Sequence, residues 1–280
     1  MPKLMADPDV ELWQALLEQI QAEGPEALAP LERIWENTMT ELVQQRAEQA
    51  MNAIRRTETA AQLKSWVANP VSLEDGMEII HRHFYPHLNF GSLVSVLLRW
   101  VSYLPAEKKK EAKTEEKIRL INHLLYDVKQ LKPAEASESS LAPCFLSHAL
   151  EYRRGSPVVQ AGIFLLASYA FDLKVNPVRI PKGMLLRWDY EEEQGWNGNR
   201  LSYFVNPSEQ GTSFSERELE LYFRQSNQEG WMLEPVDVHP HVFWMKSWLE
   251  EMKAILEQKK TGPFLQDVQR FHLCVQGLEN

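Results

Sequence analysis

A chain of 280 residues with 44% hydrophobic and 25% charged content is long enough to bury a sizeable core and has the ordinary composition of a folded globular protein. Its formal net charge of −9 and pI near 5.5 argue against a general nucleic-acid role, which needs a Lys/Arg excess on one face. Cys144 and Cys274 stand far apart with no partner at CxxC spacing, so neither a disulfide framework nor a zinc site is expected, and a reducing cytoplasm fits best.

The opening residues, MPKLMADPDV, lack the basic start and apolar run of a secretory signal. From Val10 to about Trp66 the apolar spacing is helical, with breaks expected at Gly24-Pro25 and Ala29-Pro30. Pro70 closes that region. Ser72 with Glu74 and Asp75 can cap a helix running through His83, and another is expected from about Ser92 to Leu104, before Pro105. The run from Glu107 to Lys117 reads as a solvated loop leading into a helix, its basic character diluted by Glu111, Glu115 and Glu116. After the polar loop Pro133 to Ser140, a short helix from Phe145 ends at Arg153-Arg154-Gly155.

Ser156-Pro157 then marks a strong helix start, with a side-chain cap and a proline at the first helical position. The apolar run that follows, around Gly162 to Phe171, is roughly ten residues against the ~20 needed to span a bilayer, so a buried core helix is expected. Three strand-like runs come next, Val175 to Ile180, Met184 to Tyr190 and Leu201 to Val205, giving an antiparallel sheet packed on that helix. Ser215 and Glu218 form a capping box for a helix through about Gln225. A stretch from His241 to Gln258 and a final helix from about Phe264 complete an α+β chain.

The segment Tyr152-Arg153-Arg154-Gly155-Ser156-Pro157 and the apolar helix after it resemble the SirB-type bacterial branch of the transglutaminase-like superfamily, matching its Arg-Arg-Gly-x-Pro turn. Upstream, Leu73-Glu74-Asp75-Gly76 and Ile121-Asn122-His123-Leu124-Leu125-Tyr126 resemble two further segments of the family. Downstream, Pro181 with Leu185 and Arg187, and Phe204 to Pro207 with Gly211, resemble two more. The match runs roughly from Val71 to Gln225, and the order and spacing of the pieces carry it. The resemblance implies a helical N-terminal extension (1–69), a transglutaminase-like domain (70–235) and C-terminal helices (236–280) that pack on the core as a truncated tetratricopeptide-like tail.

The superfamily's chemistry places a thiol at the N-terminus of the central helix, where the helix dipole acidifies it, a histidine base on a strand and an orienting carboxylate on the next. Laid on that pattern, this sequence puts Val159, Gly183 and Asn206 at the three positions. None can perform its role, and losing a nucleophile or base in a comparable triad costs on the order of a millionfold in turnover. The resemblance therefore implies a degenerate, non-catalytic protein with no cofactor, acting through another protein or peptide. Two other readings stand beside it: a hydrolase or acyltransferase with a relocated site, and a structural subunit of a larger assembly.

For a relocated site the candidate is Cys144 with His148, which at i and i+4 would share one helix face. His81, His83 and His87, and His239 with His241, invite a metal reading, but on a helix their directions diverge, so no metal site is expected. The tryptophans are the candidate binding residues, because one rigid side chain buries much area. Trp188, Trp196 and Trp231 fall in or after the sheet, with Trp196 expected at an exposed loop tip, while Trp244 and Trp248 can pack the sheet against the last helices.

Overall fold

The structure, a computed structural model, describes residues 1–104, 112–135, 140–180, 183–194, 200–225, 239–259 and 262–277. The N-terminal helices build a small core of their own: α1 (Pro2–Met5), α2 (Val10–Glu23), a 3-10 turn (Gly24–Ala27), α3 (Leu28–Asn37) and α4 (Glu41–Ala68). Asp9 starts α2 by accepting from the Glu11 and Leu12 amides at 2.8 and 3.3 Å. The break at Gly24-Pro25 is real, with Gly24 at φ +68°. The break expected at Ala29-Pro30 is absent, because Pro30 lies in the first turn of α3, where its missing N–H has no intrahelical carbonyl to lose. Met5, Trp13, Ile20, Leu31, Val43 and Ile54 fill this cluster, and α4 runs on past it to bring Ala60, Leu63 and Trp66 into the main core.

Around that main core stand α5 (Leu73–Phe84), α6 (Phe90–Ser102), α7 (Thr114–Asn122) with a π-helical extension (His123–Val128), and α8 (Leu146–Tyr152). Ser72 and Asn89 cap α5 and α6 through the amides of Asp75 and Ser92. The central helix, α9 (Pro157–Tyr169), is buried at every residue from Val158 to Ser168. Its largely apolar sequence reflects that position, and its buried polar residues, Gln160 and Ser168, donate to the carbonyls of Gly155 and Phe164.

Two short segments, β1 (Lys132–Pro133) and β2 (Arg154–Gly155), pair in parallel. The main sheet is antiparallel in the order β3 (Asn176–Ile180), β4 (Gly183–Gln194), β5 (Arg200–Asn206), β6 (Thr212–Ser215). Side chains alternate across it, as a pleated strand requires. Met184, Leu186, Trp188 and Val205 belong to the main core around α9, while Val178, Leu185 and Phe204 meet Leu219 and Phe223 of α10 (Glu216–Gln225). The sheet is therefore covered on both faces, where the sequence suggested one central helix alone. The Ser215 and Glu218 box forms as expected, the Ser215 amide donating to the Glu218 carboxylate at 2.8 Å and the Glu218 amide to Ser215 Oγ at 3.3 Å.

The chain closes with α11 (Pro240–Lys259) and α12 (Gly262–Gln276). Trp244, Trp248, Leu249 and Met252 of α11 lie in the main core with Val268 and Phe271 of α12. Asp267 of α12 also accepts from Arg56 of α4 and meets His83 Nε2 of α5 at 2.9 Å. This is an α+β fold with helical regions at both ends, and among the described residues no helix is long and apolar enough to cross a membrane.

Candidate functional site at the start of the central helix

The turn before α9 is shaped by its two arginines and its glycine. Arg153 ends α8 in the left-handed conformation (φ +59°) with its guanidinium 4.3 Å from the centre of the Trp100 ring. Arg154 pairs with Glu135 at 2.7 Å. A Cβ on Gly155 would stand 3.2 Å from that of Ala149, so the close approach of this turn to α8 favours glycine. The Ser156 amide donates to Pro143 O at 2.9 Å, and Ser156 Oγ accepts from the Val159 amide at 3.4 Å, capping the helix as expected.

Val159 and the start of β4 meet at this end of α9, and Asn206 leads into a turn that packs against the same helix. Val159 lies in its first turn, fully buried. Gly183 opens β4, and a Cβ there would sit 3.5 Å from Pro157 Cβ, in ordinary contact with the helix start. Asn206 closes β5 just before a 3-10 turn (Pro207–Glu209) that packs against α9, and its Oδ1 accepts from the Ser208 amide at 3.1 Å. None of the three offers a nucleophile, a base or a charge.

The loop after Asn206 shows why two distant motif segments occur together. Asn122 Nδ2 donates to Gly211 O at 2.8 Å, and a Cβ on Gly211 would fall 2.1 Å from Asn122 Oδ1. Gly211 also holds φ +74°, so both its conformation and its neighbour exclude a side chain.

A residue that sequence reasoning missed, Glu251 of α11, occupies the helix start itself. Its carboxylate accepts from Ser156 Oγ at 2.5 Å and from the Val158 amide. Two indoles flank the same contact: Trp244 Nε1 donates to Val158 O at 3.0 Å and Trp248 Nε1 to Cys144 O at 2.7 Å. Burial pushes the Glu251 carboxyl up to about 7, against the lowering effect of its two hydrogen bonds. A signal was present in the spacing, since Trp244, Trp248 and Glu251 stand at i, i+4 and i+7 on one helical stripe.

Cys144 lies beside this carboxylate. Its thiol is fully buried, and burial first, then the neighbouring Glu251 charge, holds it well above the ordinary thiol range, opposed by a hydrogen bond with Ser156. The expected sharing of one helix face with His148 fails. Cys144 ends a 3-10 turn (Ala142–Cys144), Phe145 is extended (φ −115°), and His148 belongs to α8, its ring 4.7 Å from that of Tyr152.

The remaining candidates are scattered. Trp188 is buried at 3% exposure and stacked on Tyr203 at 4.9 Å, on the floor of a cleft of about 220 Å³ beside α7. Trp244 and Trp248 are core residues; Trp196 and Trp231 lie outside the described residues. His81 is buried with its Nε2 3.2 Å from Ser147 Oγ, and burial lowers its pKa to about 4, keeping the ring neutral. His83 bridges Thr59 Oγ1 (3.3 Å) and Asp267, while His87 lines a separate cleft of about 280 Å³. The rings of His239 and His241 meet edge to face with centres 4.7 Å apart, and His241 bonds Pro70 O and the Tyr169 hydroxyl, both at 2.9 Å. Among the described residues no group of three or more His, Cys, Asp or Glu side chains is placed to hold a metal ion.

The family model for the transglutaminase-like superfamily matches residues 37–242, from the end of α3 to the first turn of α11. The chain belongs to that superfamily. No curated protein and no solved structure matches it. The matched span takes in the central helix and the main sheet of this transglutaminase-like chain, whereas Glu251 stands beyond its end.

Proposed function

We propose that this transglutaminase-like chain is a non-catalytic member of the SirB-type branch, a cytoplasmic regulatory protein that works by binding another protein or peptide. The observation that carries the reading is the occupant of the helix start. In a catalytic member the amides and dipole at this end of the helix would stabilise a thiolate. Here the Ser156 hydroxyl and the Val158 amide go to the carboxylate of Glu251, beside a fully buried Val159. The nearest thiol, Cys144, is buried and held protonated, so it does not replace the missing nucleophile.

The test has two arms. Purified protein should neither hydrolyse nor transfer glutamine and peptide amides above background, and an activity abolished by Cys144→Ala or His148→Ala would overturn the reading. Partners recovered from native lysate with the wild-type chain should include at least one protein retained through washing, with Trp196→Ala as the comparison that locates the surface.

One observation favours a relocated site as the second reading. Thr59, His83 and Asp267 form a row of hydroxyl, imidazole and carboxylate, with Thr59 and His83 lining the cleft of about 280 Å³ between α3, α4 and α5. Covalent labelling of the wild-type protein by a fluorophosphonate probe, lost in Thr59→Ala, would favour this reading; no labelling would dismiss it.

A further inference from the structure

We propose that the outer edge of β6 is a docking site for an extended, basic peptide segment of another protein, which joins the sheet as a further strand. This inference rests on the binding reading above and assigns it a surface and a partner class. The strand order places β6 at the end of the sheet, and no described strand pairs with its outer edge. The Ser215 amide is taken by the Glu218 carboxylate, so a strand added here would draw on the backbone donors and acceptors of β6 before Ser215.

The surroundings of β6 suit that occupant. Ser213, Phe214 and Glu218 line two clefts at once, of about 220 and 340 Å³. The smaller is completed by Trp188, Tyr203 and α7, on the central-helix face of the sheet, and the larger by Leu221 and Tyr222 of α10, on the opposite face. A strand added at this edge would send alternate side chains to alternate faces, one set into each cleft. Edge and clefts together fit an extended chain rather than a helix.

Charge selects among extended chains. Glu115 and Glu218 border the smaller cleft, and Glu216 and Glu220 line the adjoining surface of α10. Glu115 and Arg119 pair at 2.6 Å and offset each other, and Arg217 stands among the α10 carboxylates, so the acidic excess comes from Glu216, Glu218 and Glu220 against Arg217. The border is acidic, on a chain whose net charge is −9. A second copy pairing edge to edge would set this border against itself, and like charges oppose such a contact. A basic partner gains from the same field, in on-rate above all.

The experiment uses a fluorescein-labelled peptide, Lys-Val-Lys-Phe-Lys-Val-Lys-Leu, titrated with the full chain at low salt, beside its counterpart with Glu in place of Lys. The basic peptide should bind about tenfold or more tightly than the acidic one. Methylating the backbone nitrogens of one alternate set of residues should weaken it about tenfold, and methylating the other set should leave it unchanged, because only one set of amides faces the strand. Leu221→Ser and Glu115→Lys, at exposed positions on either side of the edge, should each weaken binding about threefold or more. Equal tolerance of both methylation patterns, or no effect of either variant, would overturn the edge assignment while leaving peptide binding intact. No binding of the basic peptide at millimolar concentration would also overturn it, and the partner recovery described above decides the broader reading separately.

Discussion

The start of α9 and the outer edge of β6 lie in the same layered core, yet they differ in how fully their backbone polar groups are met: at β6 Glu218 takes the Ser215 amide alone. At the helix start an imported carboxylate and two indoles meet what the backbone offers: Glu251 receives Ser156 and Val158, while Trp244 and Trp248 donate to Val158 and Cys144. At β6 no described strand completes the pairing, and clefts lie on both sides among the described residues. On the reading proposed above, an end closed by the chain's own side chains has little left to offer a substrate. An edge left open retains donors, acceptors and apolar lining for a partner.

The comparison breaks most forcefully at Trp244. It is fully buried, its Nε1 bonds Val158 O at 3.0 Å, and a Cβ on Gly162 would lie 2.6 Å from its ring. Trp244→Ala should cost about 3–5 kcal/mol in urea unfolding, from lost burial and the cavity left behind. A loss below about 1 kcal/mol would mean that α11 does not clamp the helix start.

Next in size is the pH dependence of the closed end. Glu251 is raised from 4.5 to about 7 on folding, so the folded state retains a proton that the unfolded state releases. Its contribution is undiminished below pH 4.5 and falls as pH rises toward 7, by on the order of 3 kcal/mol. His81 works in reverse: lowered from 6.5 to about 4, it costs nothing above pH 6.5 and destabilises increasingly as pH falls toward 4. In the shared window the two slopes oppose and offset each other in part. Glu251→Gln removes one slope, so its stability should rise with pH between 4 and 6.5 as the His81 contribution emerges. Denaturant midpoints measured across that range check it, and a variant with the wild-type profile would contradict the assignment of Glu251.

How much of this was readable in the residues depends on whether the signal was local. Ser72, Ser156-Pro157 and the Ser215/Glu218 box name their own helix starts, because capping is settled within a few residues. The strands from Val175, Met184 and Leu201 declared themselves by apolar runs that both covered faces demand. β6 did not, since Thr212-Ser213-Phe214-Ser215 is short, largely polar and at an edge, where half-exposed positions impose no pattern. Pro30 misled because a proline in a first turn looks like a proline that ends a helix. At the site, motif order alone assigned Val159, Gly183 and Asn206 to the three positions, and the fold sets Val159 and Gly183 beside the start of α9. The pairing of Glu251 with Ser156 spans 95 residues and that of His83 with Asp267 spans 184, so no window of sequence contains either.

A smaller effect sharpens the contrast at the loop joining β5 to β6. Gly211→Ala forces a Cβ into Asn122 at φ +74°, and should cost about 1–3 kcal/mol with a matching fall in melting temperature. The strain reaches the start of β6, because the Gly211 amide also donates to Asn206 O at 2.9 Å, so peptide affinity should fall with stability.

The smallest effect on stability belongs to the open end itself. Leu221 is 48% exposed on α10, and Leu221→Ser should change unfolding free energy by no more than about 0.5 kcal/mol, within the range of surface substitutions away from special features. The same substitution is expected to weaken the basic peptide severalfold. A side chain that matters to a ligand and hardly at all to the fold separates an interface from a core, whereas Trp244 matters to the fold first. Should Leu221→Ser instead cost as much as a core truncation, measured by the same urea titration, the cleft beside β6 would be part of the protein's own packing, and the contrast between its two ends would collapse.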